Sequence, residues 1–71
     1  MKVLKATEAE YSTLNGYTNG QSELQFVKDG NDNWIVGLGV LNDPGFTEIQ
    51  SDLEKLEEID FVAPNYTADI S

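Results

Sequence analysis

The chain has 71 residues, room for a single core, and a domain this small hides only about 60% of its unfolded surface. Cysteine and histidine are both absent, which excludes disulfides, thiolate or imidazole metal sites and a histidine general base. Thirteen carboxylates stand against four lysines, a net charge of -9 that repels phosphate and so argues against direct nucleic-acid binding and anionic membranes.

No apolar run comes near the roughly 18 residues that a membrane-spanning helix needs. No basic stretch followed by an apolar one opens the chain. A cytoplasmic protein without membrane attachment is therefore expected.

Residues 2–6 carry β-favouring Val3 and Leu4 and predict a first strand. Thr7-Glu8-Ala9-Glu10 then matches a capping box, with Thr7 as cap and Glu10 reaching back to it. The helix it starts can run only to Asn15-Gly16, a good stop, and its apolar face is thin: Ala6 or Ala9, Tyr11 and Leu14. Without that helix the fold would reduce to a curved antiparallel sheet crossed by one helix. Residues 16–22 are polar, a loop or a small hairpin about Asn19-Gly20. Residues 23–27 alternate, with Leu24 and Phe26 inward, and residues 28–33 have the composition of a turn. Residues 34–41 predict a strand apolar on both faces, hence central in its sheet. Gly37 and Gly39 share one of those faces and would admit a close neighbour there.

The stretch 43–64 carries the strongest pattern. Phe46, Ile49, Leu53 and Leu56 follow at steps of three, four and three on one helical face, and Thr47 with Gln50 fits a second capping box. Past Glu57 the period changes, and Ile59, Phe61 and Ala63 alternate with Glu58, Asp60 and Val62 as in a half-buried strand. The order is then β-α-β-β-α-β. Right-handed crossovers from that order predict a ferredoxin-like α+β fold, a four-stranded antiparallel sheet with two helices on one face. The expected core is Leu4, Phe26, Trp34 or Ile35, Leu38, Leu53, Leu56 and Phe61. Residues 1–64 form the expected domain, and residues 65–71, polar apart from Tyr66 and Ile70, a tail.

Little catalytic chemistry can be assembled from these residues. Asp29, Asn31 and Asn33 alternate like a calcium loop, but Trp34 occupies the glycine position and Val40 the position of the bidentate glutamate, so a polar turn is expected. Gly37-Leu38-Gly39 lacks the continuation of a phosphate loop. Ser12, Ser22 and Ser51 have no histidine to activate them. Asn65-Tyr66-Thr67 matches a glycosylation acceptor by chance, given no secretory signal. Glu54, Glu57, Glu58 and Asp60 cluster near the predicted helix end, where carboxylates oppose the macrodipole by about 0.3–1 kcal/mol each. A solvated face is the ordinary explanation of such a run. A basic partner would compensate its cost.

Residues 56–65, Leu-Glu-Glu-Ile-Asp-Phe-Val-Ala-Pro-Asn, resemble the last helix-to-strand passage of subtilisin propeptide-type inhibitors. The resemblance implies the same element order and a C-terminal tail able to lie in a protease cleft.

The expected function is that of a small acidic, non-enzymatic, protein-binding or regulatory domain, without cofactor or metal, whose partner is a protein, basic or a second copy. The candidate contact residues are Glu48, Asp52, Glu54, Glu57, Glu58 and Asp60, joined by Tyr17 and Tyr66 as an aromatic–acidic patch. The alternative is an acidic inhibitor that mimics nucleic acid or another ligand of a basic site.

Overall fold

A computed structural model of the chain describes residues 1–64. It is an α+β structure: β1 (Lys2–Ala6), α1 (Glu8–Leu14), β2 (Thr18–Asn19), β3 (Ser22–Glu23), β4 (Val27–Lys28), β5 (Trp34–Gly37), two 3-10 segments (Leu38–Asn42 and Pro44–Ile49), α2 (Gln50–Leu53) and β6 (Glu57–Asp60). Four strands form an antiparallel sheet in the order β4-β5-β1-β6, and β2 and β3 pair apart from it. β1 lies inside, in register with β5 from Val3↔Gly37 to Ala6↔Trp34 and with β6 from Lys2↔Asp60 to Lys5↔Glu57.

Alternation along β1 decides which side is the core. Leu4 and Ala6 join Leu14, Leu24, Phe26, Phe46, Leu53 and Leu56 in one buried cluster, so both helices rest on that face. Val3 is buried on the other side, and so is Ile35, opposite Lys5. The Gly30 N–H donates to the Val62 carbonyl at 2.9 Å, which ties the turn before β5 to the segment after β6.

The first helix forms where its cap predicts. Thr7 Oγ1 accepts the Glu10 N–H at 3.1 Å and Glu10 Oε1 accepts the Thr7 N–H at 2.8 Å. Asn15 is the C-cap, and Gly16 follows at φ +87°, a conformation that only glycine adopts cheaply. The thin apolar face is reinforced by stacking, with Tyr11 parallel to Trp34 at 3.8 Å and edge-on to Phe26 at 5.9 Å. Lys28 covers the Trp34 ring from 4.4 Å.

Several predicted elements are redrawn. The 23–27 strand is divided because its ends have different partners: Thr18↔Glu23 closes the small hairpin, while Val27↔Ile35 joins the main sheet. Between them Leu24 bonds across to Gly16 and Tyr17, and the Phe26 N–H donates to Asn15 Oδ1 at 3.0 Å. Leu24 and Phe26 are buried as predicted. The 34–41 strand stops at Gly37 and continues as 3-10 turns, which leaves Leu38 half-buried against the cluster. Neither Gly37 nor Gly39 has anything within 4 Å of where a Cβ would stand. The close approaches occur instead at Gly30 and Gly45.

The long second helix is mostly 3-10. Asp43, not Thr47, caps it through the Gly45 N–H at 2.8 Å, Thr47 Oγ1 donates to the Pro44 carbonyl, and Gln50 Nε2 donates to the Leu41 carbonyl. A 3-10 turn repeats every three residues, so Phe46 and Ile49 satisfy it as well as an α-helix. Only the step of four from Ile49 to Leu53 spans the α-helical part. β6 also starts before the predicted strand and ends before Phe61, which is 40% exposed and outside the core. Ile59 pairs with Val3 and so lies away from the helices.

Candidate partner-binding surface

The sequence pattern places Glu54, Glu57, Glu58 and Asp60 as a cluster near the end of the second helix, with Glu48 and Asp52 upstream of it. The structure divides them. Glu48 lies on the second 3-10 segment, Asp52 on α2, and Glu54 is the α2 C-cap, whereas Glu57, Glu58 and Asp60 belong to the edge strand β6. The helix-dipole argument therefore applies to Glu54 alone. On β6 the register separates the three further: Glu58 shares the helix side with Leu4 and Asp60 with Lys2, while Glu57 faces the opposite side beside Lys5.

Two of these acids have counter-charges. Lys2 Nζ lies 3.3 Å from Asp60 Oδ1, and Lys5 Nζ lies 3.8 Å from Glu57 Oε1. Both pairs are well exposed, so solvent screening leaves each worth little. Glu48, Asp52, Glu54 and Glu58 are exposed as well, and among the described residues no lysine stands within ion-pair distance of them.

Among the described residues, the predicted contact residues that a hydrogen bond joins are Tyr17 and Glu48. The Tyr17 hydroxyl donates to Glu48 Oε1 at 2.9 Å, and its ring meets Phe46 edge-on with centroids 6.2 Å apart. The bond to Glu48, then burial and the Glu48 charge, raise the hydroxyl's pKa above its ordinary value, against a smaller opposite pull from the Asn19 side chain. The contact joins residues 31 positions apart, and no local pattern could have indicated it. Tyr66 and the Asn65-Tyr66-Thr67 motif lie outside the described residues.

Asp52 and Lys55 also line a cleft of about 240 Å³ together with Ala9, Glu10, Thr13 and Leu14 of α1. Its lining offers apolar contact and mixed charge, with no convergent set of polar groups for chemistry.

The Asp29 turn is a closed structural device. Asp29 is buried, and its carboxylate accepts the N–H groups of Asn31 and Asn33 at 2.9 Å and the Asn33 side-chain amide at 3.2 Å. Those bonds turn the carboxylate inward, and among the described residues no three acids gather as a metal cluster. Burial by itself would push the Asp29 carboxyl up, but the Asn33 and Asn31 donors together outweigh it and hold its pKa below the ordinary value. A folded-state pKa lower than the unfolded one means that the unfolded chain binds more protons in acid. The stabilisation is complete above the usual carboxylate range and is lost as pH falls through the lowered value. Wild-type protein should therefore exceed Asp29→Asn in urea midpoint at neutral pH, and the gap should close as the pH falls below the usual carboxylate range. A gap unchanged in acid would assign the turn's stability to shape instead of charge.

No helix among the described residues is long and apolar enough to cross a membrane. No protein-family model matches the sequence, and no curated protein or solved structure is significantly similar to it.

Proposed function

We propose that this chain is a small acidic, non-enzymatic domain that binds a protein with a basic surface, and that its role is regulatory. The observation that carries the reading is the uncompensated charge of Glu48, Asp52, Glu54 and Glu58, set beside two lysines already engaged with Glu57 and Asp60. Unopposed like charges repel one another in the free protein, and a basic partner relieves that repulsion as it binds. Tyr17, bonded to Glu48 over Phe46, adds an aromatic edge of the kind that interfaces favour. The strand order β6-β1-β5-β4, with α1 and α2 contributing to one cluster, supports a ferredoxin-like reading of the sheet. Subtilisin propeptide-type inhibitors, which residues 56–65 resemble, share the β-α-β-β-α-β element order expected from the sequence, and a protease assay with added domain tests this narrower reading.

The test uses the full chain as bait in a native lysate, beside a variant carrying Glu48→Gln, Asp52→Asn, Glu54→Gln and Glu58→Gln. Wild type should retain a partner at low salt that the variant loses. Equal retention by both would reject the acidic surface as the binding element. Exposed charges more than about 10 Å apart are screened at 0.1 M salt, so a partner held by these carboxylates should be released steeply, while a mainly apolar contact should barely respond. Displacement of the domain from that partner by added nucleic acid separates the alternative of a nucleic-acid mimic.

A further inference from the structure

The chain carries two identical Asn-Gly pairs, Asn15-Gly16 and Asn19-Gly20. Such pairs are chemically unstable, because the glycine nitrogen has no neighbouring side chain to shield it and can reach the asparagine side chain. The fold treats the two very differently. At the first pair both reacting groups are held: Asn15 Oδ1 accepts the Phe26 N–H at 3.0 Å, and the Gly16 N–H donates to the Leu24 carbonyl at 2.8 Å. At the second pair the Gly20 N–H donates to no described main-chain carbonyl, and the Asn19 side chain is exposed beside the Tyr17 hydroxyl. The pair sits at the tip of a hairpin with two residues in each strand, a structure that opens readily.

We infer that Asn19 is a self-modifying site, converted with time to aspartate and isoaspartate, while the fold protects Asn15 from the same reaction. The Gly20 main-chain nitrogen attacks the Asn19 side-chain carbonyl carbon and loses its proton. The side-chain nitrogen leaves as ammonia, and a succinimide ring remains. Water then opens the ring at either carbonyl, giving aspartate or isoaspartate with no change in oxidation state. Either product adds one negative charge to the formal -9 and places a carboxylate beside Tyr17, near its bond to Glu48. Isoaspartate also inserts an extra main-chain carbon where Asn19 pairs with Ser22.

The experiment incubates the full chain in mildly alkaline buffer, native and in denaturant, and follows both sites by peptide mass mapping and isoaspartate labelling. The Asn19→Asp variant serves as the chromatographic standard. In denaturant the two sites should convert at similar rates. In the native protein Asn19 should outpace Asn15 by about tenfold or more, since two hydrogen bonds must open before Asn15 reacts. Matching native rates at the two sites, or native protection of Asn19 as strong as that of Asn15, would overturn the inference.

Discussion

Leu53→Ala should leave a large fraction of the protein unfolded in plain buffer. Leu53 is 0% exposed at the centre of the cluster, and truncating such a residue costs about 2–5 kcal/mol in lost transfer energy and cavity. A chain of 71 residues has roughly 4–10 kcal/mol of total stability, so this one change can remove half or more of it. Without cysteine or histidine, no disulfide or ordinary zinc site supplies a reserve. Leu24→Ala should cost about as much, although Leu24 lies between short strands in irregular chain, because it too is 0% exposed. Phe61→Ala is the control: at 40% exposure it should lose less than about 1 kcal/mol. Urea midpoints for the three variants rank them directly. A larger loss for Phe61→Ala than for Leu53→Ala would show that the core has been placed on the wrong residues.

Gly30→Ala should be the costliest of the glycine substitutions. A Cβ at Gly30 would run into the Ala63 main-chain carbonyl and stand 3.0 Å from Val62 Cγ1. A carbonyl in the chain cannot swing aside as a side chain can. The 61–63 segment must move, and the 2.9 Å bond from the Gly30 N–H to Val62 weakens with it. Overpacking of this kind costs about 1–3 kcal/mol. The lost bond adds roughly another 1 kcal/mol. Gly45→Ala meets Ser22 Oγ and Cβ instead, so pairing it with Ser22→Gly should restore most of its loss. Gly37→Ala should go the other way, gaining about 0.4–1 kcal/mol, since Gly37 has room for a Cβ and an ordinary φ of −68°. Denaturation midpoints and the exchange rate of the Gly30 amide read these effects. A neutral Gly30→Ala with an unprotected amide would mean that the segment after β6 is not held against Gly30.

The sequence pattern located residues better than it located elements. Leu24, Phe26, Leu53 and Leu56 are buried as their spacing required, and the Thr7–Glu10 box forms with both of its bonds. Phe61 was misplaced because alternation past Glu57 cannot show where pairing stops. Phe61 still donates its N–H to the Met1 carbonyl at 2.8 Å, one residue past the last strand pair, Lys2↔Asp60. The acidic surface was legible as composition and not as arrangement. The pattern gathers Glu54, Glu57, Glu58 and Asp60 near a helix end, and the strand that Glu57 and Glu58 occupy sends them to opposite faces.

Local chemistry alone determined the capping box, the Asn-Gly stops, the Asp29 turn and the two apolar faces of the 34–37 strand, because each depends on groups a few residues apart. Tertiary contact decided the rest: how long each strand runs, whether spacing by threes becomes 3-10 or α-helix, which glycines are crowded, and that Tyr17 meets Glu48. A strand ends where its neighbour does, and a carboxylate's surroundings are set by whichever chain folds beside it. Neither can be read from residues that are adjacent only in sequence.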